Sequence, residues 1–175
     1  MKNLVLFGFM GTGKSTVGQW SAERLGMLFV DMDQLIEQRH GQTITHIFKN
    51  KGEPFFRQLE RGLVRELAGK DGLVVSTGGG VALDPGNVAQ LAGTGVLICL
   101  WAEPRVIYER TKRVTHRPLM QGDRRLGRIK KLLHDRESAY RAIPNLIDTS
   151  QMGLEQVVDE VIHIYRKSGD TGQRG

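Results

Sequence analysis

Residues Gly8 to Ser15, read as GFMGTGKS, fit the pattern G-x-x-x-x-G-K-[ST]. They fall directly after the apolar run Leu4–Phe7 and open a segment of helical character that ends at Leu25. Glycines allow backbone N–H groups to turn inward around phosphate oxygens, and the following helix N-terminus adds a favourable field for an anion. The motif therefore assigns Gly11, Thr12, Gly13, Lys14, Ser15 and Thr16 to a nucleotide. Lys14 would reach the β- and γ-phosphates, and the Ser15 hydroxyl would be placed to ligate Mg²⁺. The competing reading is a glycine-rich turn with an accidental Lys-Ser, and the strand before it and the helix after it argue against that.

The rest of the chain continues in the same rhythm. Short apolar runs at Leu4–Phe7, Leu28–Val30, Leu73–Ser76, Val96–Leu100 and Leu146–Asp148 alternate with longer segments of helical period. That alternation predicts a three-layer αβα domain with a five-stranded parallel sheet. Asp84-Pro85 and Glu103-Pro104 mark two helix starts, since proline's missing N–H costs nothing at the first helical position. Phe56, Leu59, Leu63 and Leu67 form one buried helical stripe, and Val157, Val161 and Ile164 form another. At 175 residues the chain suits one domain, taken as residues 1–167. Two stretches interrupt the alternation, Asp33–Ala68 and Thr111–Arg124, and either is long enough to pass over a site. Ser168–Gly175, with three glycines and no apolar side chain, is expected to be a disordered tail.

Composition narrows the class. With 25 Lys and Arg against 19 Asp and Glu, 39% hydrophobic and 25% charged residues, this is a soluble globular chain of net charge +6. No apolar run approaches the roughly 18 residues of a membrane helix. Lys2 alone precedes the first apolar run, which argues against a secretory signal. The single cysteine, Cys99, fits a reducing compartment and reads as a small core residue, so a cytoplasmic protein is expected. The five histidines lack ligand spacing, and no G-x-S-x-G occurs, so neither a transition-metal site nor a serine hydrolase is indicated.

Asp31 and Asp33 follow the second strand, where the carboxyl ends of the parallel strands converge on the same crevice as the phosphate loop. Asp33 could face an acceptor hydroxyl while Asp31 sits nearer a metal and its waters; Asp33 could equally cap a helix beginning at Gln34. Arg57 and Glu60 share one helical face, although pairs at this spacing are mostly solvated surface features. Gly78-Gly79-Gly80 would let a substrate lie against bare backbone, or form a plain flexible turn. Between Arg110 and Arg136 there are ten Lys or Arg and two acids but no aromatic residue. A polyphosphate suits that stretch better than nucleic acid, which would want stacking platforms.

Taken together, GFMGTGKST, Asp31-x-Asp33, GE-x-x-FR-x-x-E from Gly52 to Glu60, the triple glycine, Arg117-Pro118-Leu119 and Arg136 with Tyr140 resemble the shikimate kinase family. The likeness runs from the first strand to about residue 165. It implies a P-loop fold like that of nucleoside monophosphate kinases, with a substrate-binding region at about 33–60 and a lid at about 111–124. It implies ATP and Mg²⁺ as cofactors and phosphorylation of the shikimate 3-hydroxyl, in aromatic amino acid biosynthesis. By the same resemblance Asp33 meets the reacting hydroxyl, Arg57 and Arg136 grip the shikimate carboxylate, and Gly79 offers backbone contact. Arg110 lies by the adenine, and Arg117 reaches the phosphates from the lid. The family often carries a basic residue near the adenine in the loop Ser150-Gln-Met-Gly153, and here there is none, leaving Gln151 or backbone. A monomer without nucleic-acid or membrane partners is expected. A kinase for gluconate or a nucleoside monophosphate and a nucleotide-dependent nucleic-acid-binding module are the alternatives.

Overall fold

The computed structural model describes residues 1–112 and 124–170. Arg117, all but the ends of the expected lid at 111–124, and residues 171–175 of the expected tail lie outside them. Five parallel strands form one sheet: β1 (Asn3–Gly8), β2 (Leu28–Asp31), β3 (Leu73–Ser76), β4 (Gly95–Trp101) and β5 (Asn145–Asp148), ordered β2-β3-β1-β4-β5. β1 is central, with Val5 in register with Val75 on one side and Leu97 on the other. All five expected runs are strands, each within a residue or so of its expected limits.

The period-two alternation of buried strands divides the core in two. Leu4, Leu6, Val74, Ile98 and Leu100 face α1 (Lys14–Leu25) and α8 (Leu154–Asp170), meeting Val17, Ala22, Val157 and Val161. Val5, Phe7, Val75, Leu97 and Cys99 face the opposite layer. That layer holds α2 (Met32–His40), α3 (Ile44–Lys51), α4 (Glu53–Ala68), α5 (Pro85–Ala92), α6 (Pro104–Thr111) and α7 (Arg125–Arg141). The stretch from Asp33 to Ala68 thus becomes three successive helices. Phe56, Leu63 and Leu67 are buried along α4 as the stripe required, with Leu59 partly so.

Helix ends follow their capping chemistry. α5 begins at Pro85, with the Asp84 side chain accepting from Gly86 N–H at 2.9 Å, and α6 begins at Pro104. The C-terminal expectation needs correction: α8 continues through Ser168 to Asp170, three residues into the stretch taken as a tail. Within that added stretch Ser168 Oγ donates to the Ile164 carbonyl at 2.9 Å. Among the described residues no helix is long and apolar enough to cross a membrane.

Candidate active site

The loops leaving the carboxyl ends of β1, β2 and β3 enclose a cavity of about 560 Å³. Its phosphate-loop wall is conformationally specific. Gly11 and Gly13 have φ of 76° and 94°, the left-handed region that glycine reaches without strain. Lys14 lines the cavity, and its Nζ donates to the Gly8 and Phe9 carbonyls at 2.8 and 3.1 Å. Thr12 is buried, with its hydroxyl donating to the Phe9 carbonyl at 2.7 Å, so its side chain braces the loop from within. Thr16 is exposed on α1.

Ser15 Oγ donates to Asp31 Oδ2 at 2.6 Å. The other oxygen of Asp31 accepts from Gln34 N–H at 3.1 Å and caps α2. The capping alternative considered for Asp33 therefore belongs to Asp31: α2 starts at Met32, which puts the N-cap one residue before it. Asp33, inside the first turn, lines the cavity instead.

The triple glycine is where the polar residues converge. A Cβ on Gly78 would lie 2.7 Å from Asp33 Oδ1 and 3.3 Å from Glu60 Oε2. One on Gly79 would lie 3.1 Å from Arg136 Nη1, and one on Gly80 would lie 2.4 Å from Arg57 Nη1. None of the three has a positive φ. Their job is room, since each missing side chain makes space for charged groups on a shared floor, two carboxylates at Gly78 and one guanidinium each at Gly79 and Gly80. Neither expectation, bare backbone for a substrate or a flexible turn, anticipated this arrangement.

Arg57 is held by Glu60 at 2.8 Å and Glu53 at 3.2 Å, with its guanidinium over the Phe56 ring. The Glu60 side chain is only 3% exposed, so this is no solvated surface pair. Burial pushes the Glu60 carboxyl above its ordinary value, Arg57 pulls it back, and Asp33 and Asp84 add to the rise. Spacing carried a signal for this: Glu60 continues the 56, 63, 67 stripe, which puts it on the buried face of α4. Ile44, Phe48 and Phe56 supply apolar lining to the same cavity, with the two phenylalanine rings 4.9 Å apart. The four-residue step from Ile44 to Phe48 was readable as one helix face but was not read as part of a site.

Arg110 lies apart from this cavity. Its Nη1 and Nη2 donate to Thr149 Oγ1 and the Thr149 carbonyl, both at 3.0 Å, just before the Ser150–Gly153 loop. Thr149 Oγ1 in turn donates to the Trp101 carbonyl at 2.9 Å, so α6, β4 and that loop are tied together. Gln151 in the loop is exposed.

The site can do a definite kind of chemistry. It sets a phosphate loop beside a carboxylate, two guanidinium groups and an apolar wall, which suits phosphoryl transfer to a small, anionic, hydroxylated acceptor. Comparisons with known proteins agree. The family model described as shikimate kinase matches residues 10–166. A shikimate kinase of Pelotomaculum thermopropionicum is 49% identical over 168 residues, covering 95% of this chain and 97% of the relative. Among solved structures, a shikimate kinase from Acinetobacter baumannii in complex with shikimate superposes with a TM-score of 0.89 at 33% identity, covering 96% of this chain and 94% of that one. A gluconokinase from Sinorhizobium meliloti, with a TM-score of 0.63 and 19% identity over 97% of this chain and 94% of that one, shares the fold.

Proposed function

The chain belongs to the shikimate kinase family, an ATP-dependent enzyme that phosphorylates shikimate, and we propose that the cavity over Gly78–Gly80 is where its acceptor binds. The observation that carries this reading is the convergence of Asp33, Arg57 and Arg136 on three consecutive glycines beside the phosphate loop. Arg57 and Arg136 grip the acceptor carboxylate, because a guanidinium fork matches its two oxygens. Gly79 contributes backbone contact. The apolar wall of Ile44, Phe48 and Phe56 covers the ring's carbon face.

Asp33 faces the hydroxyl that attacks. A carboxylate is a weak base for an alcohol, so Asp33 orients the hydroxyl and takes its proton late in a loose transition state. The nucleotide phosphates lie in the loop Gly11–Thr16, with Lys14 moving from the loop carbonyls toward them. Arg110 stands by the adenine, and Arg117 supplies charge to the transferring phosphoryl group.

Mg²⁺ fits the pair Ser15 and Asp31, two hard oxygen donors in contact at the phosphate loop. Among the described residues no three His, Cys, Asp or Glu gather to cage a metal, which suits an ion that takes its remaining ligands from phosphates and water. When bound there it would neutralise charge on the transferring phosphates. The enzyme acts as a monomer in the cytoplasm.

The test is ADP release with ATP and Mg²⁺, with and without shikimate. Turnover that depends on shikimate and yields shikimate 3-phosphate is expected. Vigorous ATP hydrolysis indifferent to shikimate would overturn the reading.

A further inference from the structure

Tyr140 lies on α7 one turn after Arg136 and is 1% exposed. A buried tyrosine in an apolar cluster ordinarily serves as core, its hydroxyl satisfied wherever a partner is at hand. Here the partner is particular. Tyr140 Oη donates to the Gly79 carbonyl at 2.8 Å, spanning from α7 to the glycine floor. A Cβ on Gly79 would meet Arg136 Nη1 at 3.1 Å and Tyr140 Oη at 3.8 Å, so guanidinium and phenol stand over the same residue. The Arg136 guanidinium also lies over the ring of Phe9, a phosphate-loop residue, 5.7 Å from its centre. A phenol has one donor and two lone pairs. Its donor is spent on Gly79, so what it turns toward Arg136 is acceptor.

We infer that Tyr140 is a positioning residue for the acceptor: its hydroxyl fixes the Gly79 backbone and the Arg136 guanidinium in the orientation that receives the shikimate carboxylate. This rests on the proposed role of Arg136. Without the hydroxyl, the Gly79 carbonyl loses its donor and Arg136 loses the acceptor beside it, while the ring still fills its place in the core. The defect therefore falls on acceptor binding and spares the nucleotide.

Steady-state kinetics of Tyr140→Phe, Arg136→Ala and the double variant test this, each assayed well below its own Tm. Tyr140→Phe should raise the KM for shikimate at least fivefold with the KM for ATP within twofold. Adding it to Arg136→Ala should bring less loss than Tyr140→Phe causes alone, because part of its effect runs through Arg136 and the rest through Gly79. A Tyr140→Phe enzyme with lowered Tm but unaltered shikimate KM would show a core residue only and overturn the inference, as would fully additive losses. Arg136→Ala with normal shikimate KM overturns the carboxylate reading and this inference together. An impaired Arg136→Ala beside an unimpaired Tyr140→Phe overturns the inference alone.

Discussion

Helix α4 carries two sets of ion pairs with the same chemistry and opposite consequences. Near its C-terminal end Glu66 holds Arg39 through both oxygens, at 2.7 and 2.9 Å, and Lys70 at 2.8 Å. Near its start Arg57 is held by Glu60 and Glu53. The surface set has the better geometry, a two-pronged fork with a second cation behind it. Its cations lower the Glu66 carboxyl to about 2, whereas burial raises that of Glu60 despite Arg57. Water around Glu66 leaves little desolvation to overcome, while Glu60 is charged in a place where charge is expensive. A buried charged arrangement in a cleft marks a site for ligand recognition, and a well-made surface fork does not.

If that contrast is sound, the largest losses must come from the cavity. Asp33→Asn should reduce turnover on the order of 100-fold, the low end of what a positioned proton acceptor supplies. ATP binding, measured by titration, should stay within a few-fold of the parent. Near-normal turnover would remove Asp33 from the chemistry and leave the cavity's charges to binding alone.

How much of this was legible beforehand depended on how local the cause was. The strands, the phosphate loop and the proline-led helices rest on contiguous residues, and all were readable. Asp31 and Asp33 were placed correctly at the strand end, but which of them caps α2 turned on where the helix begins, a matter of one residue. The triple glycine is marked in the sequence as backbone open to a substrate, but the side chains it makes room for are not legible there. Its partners come from positions 33, 57 and 136, and only the folded sheet brings them over one floor. Glu60 looks like half of a solvated pair when its spacing from Arg57 is taken alone; its place on the 56, 63, 67 stripe is what marks it as buried. At the C-terminus, composition argued for a tail, while helix propagation past the last apolar contact carried the chain to Asp170.

Gly80 sharpens the comparison without touching a charge. Its φ of −95° and ψ of −7° are open to alanine, so Gly80→Ala adds no backbone strain. The new Cβ would, however, stand 2.4 to 2.7 Å from the Arg57 guanidinium atoms. The flexible end of Arg57 must move, and its alignment with Glu60 and with a bound carboxylate goes with it. Shikimate KM should rise about tenfold, equivalent to about 1.4 kcal/mol, with ATP KM nearly constant, and Tm should fall as the buried Glu60 loses its aligned partner. Arg57→Lys should fail in the same direction. An alanine variant with unaltered shikimate KM would mean that the placement of Arg57 over Gly80 is incidental.

The smallest effect belongs to the surface fork, and its sign follows from linkage. Glu66 has a folded-state value of about 2 against an ordinary 4.5, so the folded protein favours its charged form. Its contribution to stability is present above the ordinary value and drains away as pH falls toward the folded one. Exposure weakens it further, because salt and water screen the pair. Glu66→Gln should therefore leave shikimate and ATP kinetics unchanged and lower Tm slightly at pH 7. Between pH 4.5 and about 2 the Tm of the parent should fall more steeply than that of the variant, the two converging at the acid end. Thermal melts across that range at low and high salt would measure it. A Tm gap that is as wide at pH 2 as at pH 7, or that ignores salt, would mean Glu66 stabilises the fold by packing, and the contrast drawn between the two ends of α4 would then not be one of solvation.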